Sequence, residues 1–176
     1  MHNTLLKQFI SPFWSICILQ KGPQDLPTSG LLLMVVFLLG FMLDLVNLSI
    51  ALPETSLLTL AALAATYALA LVLSLAGIMW LMRYQTRILP TLTALLGVSA
   101  MISFFALPIL MIMQRNPDEP SLFGLFILGL NVWHLMVSAH ILRFALSVSM
   151  LMSGVLALGY FLLGFKITNL FIVPVS

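Results

Sequence analysis

The sequence predicts an all-α fold: an integral membrane bundle of five transmembrane helices, preceded by a short interfacial amphipathic helix. Five apolar stretches predict the bundle, because each reaches the roughly 20 residues that a helix needs to cross a hydrocarbon core of about 30 Å. They occupy residues 31–52, 57–82, 88–113, 122–142 and 147–171. Prolines punctuate them, since Pro53 follows the first stretch and Pro117 and Pro120 precede the fourth.

The composition indicates that nearly the whole chain lies in a lipid bilayer. Of its 176 residues, 62% are hydrophobic and 7% are charged, and the mean hydropathy is +1.18. We therefore expect an amino-terminal interfacial segment and linker over residues 1–30 and one transmembrane domain over residues 31–176. The seven basic residues are scattered over the connections, so we expect membrane lipid as a partner and no nucleic acid.

The amino-terminal segment predicts a short helix at the membrane surface. Ser11 before Pro12 suits a helix start, and Gly22 before Pro23 suits a helix end, which predicts a helix from about Pro12 to Lys21. Polar residues fall on one narrow stripe of an otherwise apolar segment. This pattern is typical of a helix in the interface plane, with Trp14 and Lys7 at headgroup level.

The linker that follows is predicted to be ordered around one carboxylate. Its residues Gly22, Pro23, Asp25 and Pro27 lie between the interfacial helix and the first span. Asp25 is expected either to accept backbone N–H bonds as a local cap or to pair with Lys21 or a nearby arginine. The alternative is a solvated acid in a flexible linker.

The basic residues predict the orientation of the bundle. With a cytoplasmic amino terminus, five of them lie inside, and only Arg115 and Lys166 lie outside. The inside set is Lys7, Lys21, Arg83, Arg87 and Arg143. The carboxyl terminus would then lie outside, and His140 with Arg143 would mark a tight helical hairpin at the inner surface.

Small side chains predict which helix faces touch, because helices in lipid associate through close backbone approach. The second span carries two such stripes, so it is the candidate for the centre of the bundle. The stripes are Ala61, Ala65 and Ala68 on one side and Ala70, Ser74 and Gly77 on the other. Pro108 is expected to bend the third span near Phe104.

Asp44 is the most informative polar residue, since it lies well inside the first span. An unpaired charge there costs several kcal/mol, so Asp44 should be protonated, paired or facing water. It shares a stripe with Gly40 and Asn47, which predicts that it points into the bundle. At about 1.5 Å per residue, four polar residues lie at its depth and His134 lies about one turn nearer the cytoplasm. The four are Tyr67, Ser103, Asn131 and Tyr160.

Two interpretations of this polar group stay open. Asp44 and His134, with Asn131 and a tyrosine hydroxyl, either lock the helices together or relay a proton or small cation. The chain lacks the sequence motifs of zinc proteases, serine hydrolases and phosphate-binding loops, so we expect no enzyme, no cofactor and no metal site.

A resemblance adds to this interpretation. The five-span layout, the proline-containing segment before the first span and the pattern from Val132, Trp133 and His134 to His140 and Arg143 resemble the Yip1 domain superfamily. The chain is most similar to its compact bacterial members. This implies a non-enzymatic adaptor, scaffold or accessory subunit in a bacterial inner membrane, with a protein partner or a second copy. A small transporter or channel-like subunit is the alternative function, and an intramembrane enzyme ranks third.

Overall fold

A computed structural model describes residues 2–115 and 120–172, with side chains from 10 to 115 and from 122 to 170. These residues form six α-helices: α1 His2–Cys17, α2 Gly30–Ala51, α3 Leu57–Leu81, α4 Ile88–Arg115, α5 Pro120–Leu146 and α6 Met150–Ile172. The helices α2 to α6 are long and apolar enough to cross a membrane, which confirms the predicted all-α bundle of five spans. The predicted orientation also places Asp118 and Glu119, which follow Arg115, outside, but these two residues fall beyond the described ones.

Serine side chains cap the starts of α2 and α3, as Ser149 does for α6. Ser29 Oγ accepts a hydrogen bond from the Leu32 N–H at 3.3 Å, and Ser56 Oγ accepts one from the Thr59 N–H at 3.2 Å. Each bond satisfies a backbone donor that the first turn of a helix leaves without a partner. The sequence therefore sets the starts of α2 and α3 through local capping.

Three helices are each followed by a residue with a left-handed backbone. Leu19, Arg83 and Ser147 have φ values of 63°, 62° and 55°, and each follows a helix by one or two residues. The next amide then reaches back five residues to close the last turn, a capping pattern in which glycine is the usual residue. These bonds are Gln20 N to Ser15 O at 2.9 Å, Tyr84 N to Met79 O at 2.8 Å and Val148 N to Arg143 O at 3.3 Å.

This capping corrects two predicted helix ends. Leu19 closes the last turn of α1, so Gly22 is not the residue that stops it, and the predicted range of Pro12 to Lys21 was wrong. Pro12 lies inside α1. The cap at Ser147 likewise lets α5 run four residues past its predicted end at Leu142, so His140 and Arg143 lie within the helix.

The five spans pack in a ring, in the order α2, α3, α6, α5 and α4, with α4 next to α2 again. The helix with the most neighbours is α4, which also contacts α1 and α3. The prediction that α3 forms the centre was therefore wrong. Small residues such as Ala94, Gly97 and Ala100 are buried along α4, whereas Gly77 of α3 has open space where a side chain would project.

The helix α1 packs against the middle of α4. The ring of Phe13 lies on Gly97, where even a methyl group would overlap it. Trp14 is 42% exposed, and its ring centroid is 6.3 Å from that of Phe105. Gly97 and Phe105 lie about 14 Å and 26 Å along α4 from Ile88. Trp14 is therefore deeper than the expected headgroup level, because Gly97 leaves room for an aromatic ring at mid-height. The side chain of Lys7 lies outside the described part.

Two long-range hydrogen bonds fix the end of α1 and the chain beyond it. Trp133 Nε1 of α5 donates to Cys17 O at 2.9 Å, and His140 Nε2 lies 3.2 Å from Lys21 O. Cys17 is 1% exposed. A carbonyl left unpaired at a buried helix end is costly, so these bonds tie the amino-terminal segment to α5.

Arg87 joins the two connections at one end of the bundle. Its Nη1 donates to the carbonyls of Phe144 at 3.3 Å and Ala145 at 3.2 Å, and to Ser147 Oγ at 2.8 Å. A cation near the carboxyl end of a helix also complements the helix dipole. The connections before α4 and after α5 therefore lie together, as a common membrane side for Arg87 and Arg143 requires. Which side that is stays a prediction.

Candidate polar cavity

A partly open cavity of about 300 Å³ lies among the spans, and each of α2 to α6 contributes to its lining. The lining combines polar and apolar side chains. The polar side chains that face it are Asp44, Asn47, Tyr67, Ser99, Ser103, Asn131, His134 and Thr168. Polar groups at membrane depth need partners or water, which makes this cavity the candidate functional site.

Asp44 is held by the neighbouring helix α4. Ser103 Oγ donates to Asp44 Oδ1 at 2.6 Å, the short distance typical of a hydroxyl that bonds to a carboxyl group. Asp44 therefore points into the bundle. No described residue donates to its second oxygen, Oδ2, which leaves that atom available to the cavity.

Asn47 is anchored on the same residue. It lies three positions after Asp44 on α2, so both side chains leave the helix on one face. Its Nδ2 donates to Ser103 O at 3.0 Å, and that contact orients the amide because a carbonyl can only accept. Asn47 Oδ1 is then buried and has no hydrogen-bond partner among the described residues.

His134 is held one turn away by a second serine of α4. Ser99 Oγ lies 3.1 Å from His134 Nε2, and Ser99 precedes Ser103 by four residues on α4. Residues at that spacing share a helix face, so one stripe of α4 positions both Asp44 and His134. The hydroxyl groups of this stripe can both donate and accept hydrogen bonds.

A smaller cavity of about 120 Å³ continues from the first. Both cavities are lined by Tyr67, Ser99, Asn131 and His134. Tyr67 is seated there because its ring lies on Gly164 of α6, where a methyl group would overlap it. The smaller cavity therefore reaches past His134 toward the end of the bundle that holds Arg87, but its lining there is mostly apolar.

Tyr160 lines only the smaller cavity, and its hydroxyl is already satisfied. It donates to Leu71 O at 2.7 Å and accepts from Ser74 Oγ at 3.2 Å. These bonds link α6 to α3, which is a structural role. Ser74 thus serves the contact between these two helices.

The predicted polar group is assembled through Ser103, which was expected at the depth of Asp44, and through Ser99, which was not predicted. Asp44, Asn47, Tyr67, Asn131 and His134 line one cavity, and Tyr160 lines its neighbour. The expected direct bonds among Asp44, Asn131 and a tyrosine are replaced by bonds to two serines. Asn131 Nδ2 donates instead to Ile127 O, one turn back in its own helix, at 2.8 Å. The missed signal was Ser99, which lies four residues before Ser103 in the same apolar span.

The linker around Asp25 forms a closed turn. Asp25 Oδ2 accepts from the Gly22 N–H at 2.9 Å, and the Asp25 N–H donates to Gly22 O at 3.1 Å. Pro23 is buried, and the Ser29 N–H donates to Pro27 O at 2.9 Å. The carboxylate thus acts as a local backbone cap.

Among residues 2–115 and 120–172, no three His, Cys, Asp or Glu side chains lie where they could hold one metal ion. Comparisons with protein-family models, with curated proteins and with solved structures find no match.

Proposed function

We propose that the protein is a small transporter or channel-like subunit that relays a proton or small cation through its central cavity. The observation that carries this proposal is the polar cavity, which lies among five apolar helices and reaches Asp44. A bundle that served only as a scaffold would gain from apolar packing in its interior, because lone polar groups at membrane depth are costly.

The order of groups along the cavity suits a relay. Asp44 and His134 can each gain or lose a proton, and both are attached to the same stripe of α4 through Ser103 and Ser99. Hydroxyl groups and water pass protons by donating one hydrogen bond while accepting another. The smaller cavity adds the hydroxyl group of Ser138 beyond His134, within a mostly apolar lining.

Proton flux into vesicles tests the proposal. The full-length protein is reconstituted with an internal pH-sensitive dye, and an inward proton force is set by a potassium gradient with valinomycin. We expect faster acidification than in protein-free vesicles. Asp44→Asn should reduce the rate to that of protein-free vesicles, because the amide keeps the shape of the side chain but cannot ionise.

A matched control comes from the same helix. Ser49 faces outward, and among the described residues its hydroxyl bonds only to Val46 O of its own helix, at 2.8 Å, so Ser49→Ala should leave the flux unchanged. Thermal unfolding in detergent checks that both variants are folded. Equal flux through the wild type and a folded Asp44→Asn variant would exclude a relay at Asp44.

A second candidate function is a non-enzymatic adaptor or accessory subunit. It is favoured by the large apolar surface that the bundle leaves for a partner in the membrane. In the most apolar window of each span, only 11% to 22% of the residues are buried. The resemblance to the Yip1 domain superfamily and the inner-membrane location belong to this proposal. Cross-linking and copurification from native membrane test it, and recovery of the chain alone would count against it.

A further inference from the structure

We propose that Asp44 and Asn47 form a binding site for a small primary ammonium ion, and that this ion and a proton compete for the Asp44 carboxylate. The inference rests on the proposed function, because it names the ligand of the same cavity. The volume of about 300 Å³ is at the lower end of small-ligand pockets, which span roughly 300–1,000 Å³. A bare proton needs far less space.

The first step is the set of acceptors on two side chains that line the cavity. Ser103 occupies one atom of each side chain, since it donates to Asp44 Oδ1 and accepts from Asn47 Nδ2. The two atoms that remain are Asp44 Oδ2 and Asn47 Oδ1, and neither has a donor among the described residues. Both are acceptors, so the missing partner is a hydrogen-bond donor.

A buried acceptor without a donor is unusual enough to need an explanation. More than about 90% of buried polar groups have a partner, and an unpaired one costs about 1–3 kcal/mol. Asn47 is not free to turn away, because its Nδ2 is bound to α4. A ligand with several N–H donors satisfies Asn47 Oδ1 and Asp44 Oδ2 together, and a primary ammonium group has three donors and no acceptor.

The charges around Asp44 give the second step. On α3 the cavity presents Tyr67 and on α5 it presents His134, whereas the lining residues of α4 and α6 carry no titratable group. No lysine or arginine is among the residues that line it. An ionised Asp44 therefore needs a mobile cation as its partner.

Competition follows from that single carboxyl group. When the ammonium ion binds, Asp44 releases its proton to water in the cavity, and the carboxylate pairs with the ion. When a proton returns, the neutral carboxyl group loses its attraction for the ion, which leaves. One positive charge replaces another in each step, so the site exchanges one ammonium ion for one proton.

Three cations distinguish this site from general cation binding. Full-length protein in detergent is unfolded thermally with ethylammonium, tetramethylammonium or potassium chloride at equal concentration. We expect ethylammonium alone to raise the unfolding temperature, because a ligand that binds the folded state stabilises it. Tetramethylammonium has the charge but no N–H donor, and an equal shift with it would overturn the proposal.

The proton is measured on the same protein. Calorimetric titration with ethylammonium in two buffers of different ionisation enthalpy should report release of about one proton per bound ion, and binding should weaken from pH 8 to pH 5. Asp44→Asn and Asn47→Leu should abolish the ethylammonium shift, whereas Ser49→Ala should keep it. A shift that persists in both folded cavity variants would place the ion elsewhere.

The outcomes separate this inference from the proposed function. If proton flux depends on Asp44 but ethylammonium gives no shift, the relay stands and the ammonium site is overturned. If ethylammonium binds at Asp44 but no proton flux occurs, the site stands and the relay fails. The comparison of three cations uses the wild type alone, so it does not depend on whether a variant folds.

Discussion

Replacing Arg83 by glycine should stabilise the protein, although it removes a large side chain. Arg83 has a φ of 62° after α3 and makes no hydrogen bond through its side chain to any described residue. The left-handed conformation costs a non-glycine residue about 1–2 kcal/mol, and glycine avoids this cost. Glycine also has more conformational freedom in the unfolded chain, which lowers the free energy of unfolding by about 0.4–1 kcal/mol. The net gain should be about 1 kcal/mol.

The assay is thermal unfolding in detergent with a matched pair of variants. For a chain of this size, about 1 kcal/mol corresponds to a rise of about 2–4 °C. Arg83→Ala removes the same charge and the same long side chain but keeps the Cβ atom, so it should give no rise. If Arg83→Gly is no more stable than Arg83→Ala, the left-handed backbone is not the source of the cost.

Ser147 supplies an internal contrast, because its backbone is similar but its side chain is occupied. It has a φ of 55°, and its Oγ accepts the hydrogen bond from Arg87 Nη1 at 2.8 Å. Loss of a hydrogen bond to a charged group costs about 1.5 kcal/mol, the lower end of its range, since this bond is exposed. Ser147→Gly should therefore show no gain in unfolding temperature.

Three further predictions concern the docking of α1. Burial raises the pKa of the Cys17 thiol to about 11, so below that pH the thiol stays protonated, and N-ethylmaleimide at pH 8 should label it only after unfolding in SDS. Gly97→Val should displace the ring of Phe13 and speed this labelling, whereas Gly77→Val, where space is open, should not; equal rates would contradict the docked α1. Trp133→Phe leaves Cys17 O without its donor and should lower the free energy of unfolding by about 1–3 kcal/mol, measured by thermal unfolding; an unchanged value would count against that bond.

The five spans could be predicted from the sequence because length and hydropathy suffice for them. The start of α2 at Ser29 follows from local capping in the same way. The end of α5 could not be predicted, since Arg143 suggested a connection, whereas the helix continues until Ser147 adopts a left-handed backbone. A non-glycine residue in that conformation has no clear signal in a single sequence.

The polar cavity shows a second limit. Depth along the spans placed Ser103 level with Asp44, and the two are bonded. Depth does not say which helices are neighbours, however, so Asn131 was at the right level but bonds within its own helix. The prediction that α3 forms the centre failed for a similar reason. Small residues that face outward, such as Gly77 of α3, cannot be distinguished in the sequence from small residues that face a neighbouring helix.

The docking of α1 has a consequence for the order of biogenesis. This helix is synthesised well before its partners, because Phe13 needs Gly97, and Cys17 needs Trp133, which is 116 residues away. Until α5 has left the ribosome, the amino-terminal segment has no place to settle. Its final packing is therefore a late event, and a nascent chain that stops before α5 should leave Cys17 open to thiol reagents.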